Sequence, residues 1–143
     1  MLVRVHGIGV LIEGAAGSGK SALALALLDR GHILVADDAV ELRGSRGRLT
    51  GHCPNPLQGL LEVRGLGIVD ARRLFGRAQF RRATPIGLVA ILRRSPARVL
   101  RDLMPSVTRR GVRLPAVYLG AGVGHNPAVI LETACRLLRP RRA

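Results

Sequence analysis

The chain is predicted to fold as an α/β domain built around a phosphate-binding loop, and three observations predict it. A short apolar run, GIGVLIEG over residues 7–14, suits a buried strand. The run GAAGSGKS, residues 14–21, matches the pattern G-x-x-x-x-G-K-[ST] at each fixed position. SALALALLDRG, residues 21–31, then joins strong helix formers to a glycine stop. Strand, glycine-rich turn and helix are the context such a loop requires. Successive backbone N–H groups form an anion cradle, and the helix adds the positive end of its dipole. Gly14, Ala15, Ala16, Gly17, Ser18, Gly19, Lys20 and Ser21 are therefore expected to hold nucleotide phosphates, with the Ser21 hydroxyl on Mg²⁺. Lys20 is the only lysine in a chain whose other strong bases are all arginine. A slim point charge reaches the outer phosphates where a broad, forked guanidinium does not fit.

The elements that follow can be read in order. HILVADDAVEL, residues 32–42, reads as a second strand whose apolar run ILVA ends at Asp37 and Asp38. Two carboxylates at the end of a buried strand are costly without partners. Beside a phosphate loop the natural partners are Mg²⁺ and a hydroxyl awaiting deprotonation. Neighbouring side chains on a strand point to opposite faces, so one acid is expected at the reacting phosphate and the other in the metal shell. In LLEVRGLGIVDARRLFG, residues 60–76, Glu62 and Arg64 share a face if the segment is a strand. They suit Mg²⁺ and phosphate oxygens, or simply one another as an ion pair. Gly65 and Gly67 let the backbone approach a ligand, and VDARRLFG ends as a helical turn at Gly76. PIGLVAIL, residues 85–92, is a continuous apolar run suited to a central strand, and VRLPAVYLG, residues 112–120, is extended, with Pro115 suggesting an edge. Between them lies an arginine-rich segment, residues 93–111, whose LRDLM core is expected to be helical. A final helix is expected over about residues 126–139, capped by Asn126 with Pro127 at its first position. Val129, Ile130, Thr133 and Leu137 are spaced for its packed face.

At 143 residues the chain is expected to be one domain, residues 1–143. Aromatics are 2%, so Leu, Val, Ile and Ala must fill the core. No apolar run reaches the roughly 20 residues that span a bilayer, and the first residues show no clear signal peptide, so a cytoplasmic protein is expected. Cys53 and Cys135 form no CxxC and are expected as reduced thiols. His6, His32, His52 and His125 show no metal-ligand spacing and are expected to be structural or solvated. The net charge of +14 suits phosphate chemistry and an acidic protein partner. Nucleic acid is not expected, because the arginines are dispersed and there is almost no aromatic surface for base stacking.

GAAGSGKSALAL, DRGHILVADDAVEL and LLEVRGLGIVDARRLFG, in order and in register over residues 7–76, resemble the catalytic domain of HPr kinase/phosphorylase in its short bacterial form. The resemblance implies a nucleotide-binding fold related to phosphoenolpyruvate carboxykinase, with a mixed sheet flanked by helices. It implies phosphorylation, dependent on ATP and Mg²⁺, of a serine on the phosphocarrier protein HPr or a paralogue of the phosphotransferase system. It also implies reverse dephosphorylation and a hexameric assembly. Carried over by motif, Lys20 contacts the β- and γ-phosphates and Ser21 binds Mg²⁺. Asp37 takes the serine proton, with Asp38 its neighbour in the active-site pair. Glu62 is a metal-binding acid, and Arg64 lies in the signature block beside it. The chain departs from the family at Ala22, where an acid usually follows GKS, and at His125, where GHN replaces GRN. His6 stands too close to Gly14 to match the histidine motif upstream of the family's loop strand. The alternatives are a degenerate nucleotide-binding regulator and a small-molecule kinase.

Overall fold

The computed structural model describes residues 1–94, 104–120, 124 and 126–139. The first two strands, β1 (Leu2–Val5) and β2 (Ile8–Glu13), form an antiparallel hairpin. Its two-residue turn holds His6 at φ 50° and Gly7 at φ 78°, the positive pair that a type I′ turn needs. The phosphate loop leads into helix α1 (Lys20–Asp29), which stops at Arg30 before Gly31 turns left-handed at φ 90°. Strand β3 (Ile33–Ala36) follows, then the hairpin β4 (Glu41–Ser45) and β5 (Arg48–His52). A second, small hairpin, β6 (Leu60–Val63) and β7 (Gly67–Asp70), runs into helix α2 (Ala71–Phe75), capped by the Asp70 carboxylate and ended at Gly76. Strand β8 (Ala83–Arg93) precedes the hairpin β9 (Ser106–Arg109) and β10 (Val112–Gly120), and helix α3 (Pro127–Leu138) ends the described chain.

Eight of the described strands make one mixed sheet, with main order β3-β1-β2-β8-β10-β9. β8 lies at its centre, as its continuous apolar run predicts. It runs parallel to both β2 and β10, and its first residues pair antiparallel with β5. Alternate residues feed two separate cores. Val10, Ile12, Leu88, Ala90 and Leu92 pack against Leu23 and Leu27 of α1 and Leu131 of α3. Leu11 and Val89 face the other way, onto Leu49, Val112 and Leu114. The buried members of these cores include no aromatic residue. Cys53 and Cys135 are buried free thiols, as expected.

Three expectations need correction. HILVADDAVEL is not one strand: β3 ends at Ala36, Asp37 and Asp38 form a bend, and Glu41 already belongs to β4. Pro115 is not at an edge. Ala116 N–H donates to the Pro105 carbonyl on the β9 side, so the Pro115 nitrogen faces β8, whose ladder with β10 starts only at Ala116. The missing N–H therefore breaks no ladder bond. The packed face of α3 is also the other one. Ala128, Leu131, Glu132, Ala134 and Cys135 are buried, whereas Val129, Ile130, Thr133 and Leu137 face solvent. Most of the LRDLM segment and the His125 position lie outside the described residues.

Candidate active site

Helix α1 opens at Gly19, held at φ 101°, with no side chain capping its first turn and no acid in it. Its free N–H groups and positive dipole end are therefore left to an anion. The loop closes on itself through Ser18 N–H to the Ala15 carbonyl at 3.0 Å. Lys20 Nζ donates to the Gly14 carbonyl at 2.7 Å, which lays the ammonium along the loop. Ser18 Oγ is buried and, among the described residues, is a side-chain polar atom with no hydrogen-bond partner. A buried hydroxyl without a partner is expensive, and a phosphate oxygen in the cradle would satisfy it. A Cβ at Gly14 would sit 2.5 Å from that hydroxyl and 3.0 Å from the Leu92 carbonyl, so the backbone approach that shapes the cradle requires glycine. The cavity over the loop is also lined by the end of β8, including Arg93, and by Arg94 just after it. Neither arginine was singled out from the sequence. Their position follows from β8 lying beside β2 in the sheet.

A second cavity holds Asp37, Asp38 and Glu62 together. Asp37 is half-buried, and its Oδ2 accepts the Glu62 backbone N–H at 2.9 Å. Burial pushes its carboxyl above the usual value, helped by Asp38, against the pull of that hydrogen bond. The two aspartates do not serve opposite faces of a strand, because the bend after β3 turns both towards one cavity. Arg64 does not share a strand face with Glu62 either. β6 ends at Val63, and Arg64 stands exposed in the β6–β7 turn. It reaches the phosphate loop nonetheless: a Cβ at Gly17 would lie 3.9 Å from Arg64 Nη2. The β6–β7 hairpin thus joins the two halves of the site, with Arg64 beside the loop and Glu62 bonded to Asp37. Ser21 sits in the first turn of α1. Hydroxyl and carboxylate oxygens are the donor class Mg²⁺ takes, alongside phosphate oxygens and water; Asp38 and Glu62 offer carboxylates in one cavity and Ser21 a hydroxyl in the first turn of α1.

The strand leading into the loop is braced from the far edge of the sheet. Arg109 of β9 grips the Glu13 carboxylate with two hydrogen bonds, of 2.6 and 2.8 Å. The bond from Arg109 holds the Glu13 carboxyl below its usual range. Among the described residues, no helix is long and apolar enough to cross a membrane.

Comparison with known proteins agrees with this architecture. The family model described as HPr Serine kinase C-terminal domain matches residues 1–143. The HPr kinase/phosphorylase of Bordetella pertussis is 48% identical over 137 residues, covering 92% of this chain and 44% of the relative. That of Xylella fastidiosa strain M12 is 43% identical over 145 residues, covering 96% of this chain and 46% of the relative. The chain thus spans less than half the length of these relatives. The solved Hpr(Ser) kinase/phosphatase of Coxiella burnetii superposes with a TM-score of 0.86 at 32% identity, over 96% of this chain and 87% of that one. Sequence motifs, sheet order and these likenesses converge, and the chain belongs to the HPr serine kinase C-terminal domain family.

Proposed function

We propose that residues 1–143 are the catalytic domain of a kinase that uses ATP and Mg²⁺ to phosphorylate a serine of the phosphocarrier HPr or a paralogue. We assign removal of that phosphoryl group to the same site. The observation that carries this reading is the β6–β7 hairpin, which sets Arg64 beside Gly17 of the loop and Glu62 against Asp37. Phosphoryl transfer needs a phosphate cradle, countercharge and one placed base, and little covalent chemistry from the protein. The relatives' name, HPr kinase/phosphorylase, supports HPr as the substrate. A hexamer working in the cytoplasm belongs to the same reading.

In this account the loop N–H groups hold the outer phosphates, and Lys20 trades the Gly14 carbonyl for a phosphate oxygen. The free Ser18 hydroxyl donates to another. Ser21, Asp38 and Glu62 would hold Mg²⁺, which would supply charge neutralisation for the transferring phosphoryl group. As the serine oxygen bonds to the γ-phosphorus, its proton passes to Asp37 and the bond to the ADP oxygen breaks. A raised pKa makes Asp37 a better base than an exposed aspartate. Arg64 offsets charge on the transferring group. In dephosphorylation Asp37 returns the proton to the serine oxygen as its bond to phosphorus breaks and an oxygen of inorganic phosphate takes the phosphoryl group.

The test is transfer of label from γ-labelled ATP to HPr, with and without Mg²⁺. Label on a serine, dependent on Mg²⁺ and abolished by Lys20→Ala, is expected. Absence of label while ATP still binds through Lys20 would replace the kinase with a nucleotide-binding regulator.

A further inference from the structure

We propose that His6, His32 and Glu132 form a site for a divalent transition metal, zinc by preference, remote from the phosphate loop. The three residues are more than 100 positions apart at the extremes, and only the fold brings them together. His6 occupies the β1–β2 turn, His32 immediately precedes β3, and Glu132 is on the buried face of α3. The site lies beyond the far end of α1, one helix of 10 residues from Lys20, or about 15 Å at 1.5 Å per residue.

The donor atoms already converge. His32 Nε2 is 3.1 Å and His6 Nε2 3.6 Å from the same carboxylate oxygen, Glu132 Oε2. All three ligand atoms lie within 4.8 Å of one another. In a tetrahedral zinc site with bonds of about 2.0–2.1 Å, neighbouring ligand atoms stand about 3.3 Å apart. The two separations to the carboxylate straddle that value and the remaining one is within 4.8 Å, so binding an ion requires the two imidazoles to close on one point. The rings meet edge to face, with 4.9 Å between centroids, so both imidazoles stand beside the same carboxylate. Two imidazoles and a carboxylate are a zinc donor set. The site has its outer shell as well: Arg30 Nε holds the other carboxylate oxygen, Glu132 Oε1, and Arg139 donates to the His6 carbonyl at 2.6 Å. Such partners fix the orientation of metal ligands. The side chains of His32 and Glu132 are 9% and 10% exposed and that of His6 30%, so one flank stays open for water as a fourth ligand.

Arg136 Nε lies 3.3 Å from His6 Nε2, so this guanidinium must move aside for a metal to reach that nitrogen. Arg136 is exposed and can swing into solvent. With Arg30, Arg136 and Arg139 around it, the site repels ions held by charge alone. It therefore selects metals that bond strongly to imidazole over Mg²⁺ and Ca²⁺. A bound ion would tie α3 to the β1–β2 turn and to the end of α1.

The experiment is titration of the metal-free protein with Zn²⁺ and Co²⁺, read by calorimetry, visible absorption and thermal melting. The account expects one tight equivalent. It expects the d–d bands of four-coordinate cobalt with no near-ultraviolet thiolate band, and a melting point raised by zinc. His6→Asn, a residue that accepts the positive φ of this turn, should lose the binding and the zinc-induced stabilisation. Arg30→Gln should weaken binding roughly 10–100-fold. Asp37→Asn should bind the metal as the parent does. Retained binding in His6→Asn, a thiolate band from Cys53 or Cys135, or loss of binding in Asp37→Asn would overturn the proposal, as would no binding at all. The cobalt spectrum of the parent protein decides the ligand class even if a variant folds poorly.

Discussion

Asp37 is placed where its chemistry and its cost have the same cause. The half-burial that raises its pKa penalises its charged form, and in the proposed reaction it suits Asp37 to take a serine proton. The sign of the linkage follows. Below the ordinary aspartate value of 3.8 both folded and unfolded chains hold the proton. As pH rises past it, the unfolded chain ionises first, so stability falls until the folded pKa is passed and stays lower at neutral pH. Asp37→Asn keeps an acceptor for the Glu62 N–H and removes the charge. It should therefore melt higher than the parent at pH 7 and match it below pH 3.8; melting curves across pH check this. Transfer should drop roughly 10²–10⁴-fold, the usual contribution of a general base. The strand, glycine-rich loop and helix were legible in the sequence because fixed spacing along one segment defines them, and the acidic doublet because it interrupts an apolar run. The reason for singling out Arg64 needs correction, since it stands beside the loop in a turn and not on a strand face. His6 and His32 were read as unrelated, because nothing local signals a contact made through Glu132.

At the scale of elements, the loop and the hairpins show where local chemistry suffices. Gly14→Ala would drive a Cβ against Ser18 Oγ and the Leu92 carbonyl. The cradle must then shift, and ATP affinity should fall at least as far as in Lys20→Ala, measured by nucleotide titration. The Glu13–Arg109 brace is about a third exposed, so its contribution should stay near 1 kcal/mol, the upper end for such pairs. Because Arg109 holds the Glu13 pKa low, that stability is present above the ordinary value of 4.5 and is lost as pH falls through the folded one. Glu13→Gln should therefore cost stability at pH 7 and little at pH 2–3, by denaturant melts at both. Strands β1, β4, β5 and β9 were not read from the sequence. Their hairpin turns are His6-Gly7, Arg46-Gly47 and Arg110-Gly111, all at positive φ, and lack the Asn-Gly or Asp-Gly pair that usually announces the turn. On α3 the apolar residues are spread around most of the helix, so periodicity alone chose the wrong face. Leu131→Ala should cost about 2–5 kcal/mol as a core truncation, and Ile130→Ser, on the exposed face, within about 0.5 kcal/mol.

For the whole molecule, the class of fold and the central place of β8 were legible because a continuous apolar strand must be covered on both faces. The sheet order and the approach of the β6–β7 hairpin to both the loop and Asp37 were not, since both depend on contacts between distant segments. The charge of +14 acts at this scale too. If the substrate is a protein, its field should steer docking, and kcat/KM should fall as salt shortens the Debye length from about 10 Å at 0.1 M to about 3 Å at 1 M. Rates indifferent to salt would argue for a small substrate. The central claim is that one site both cradles ATP and deprotonates a serine of HPr through Asp37. It is tested most directly by measuring phosphoryl transfer to HPr and ATP binding side by side in the parent and in Asp37→Ala. The account predicts unchanged ATP affinity with transfer lost by two to four orders of magnitude, the span of a general base. Transfer at the parental rate in Asp37→Ala would contradict it.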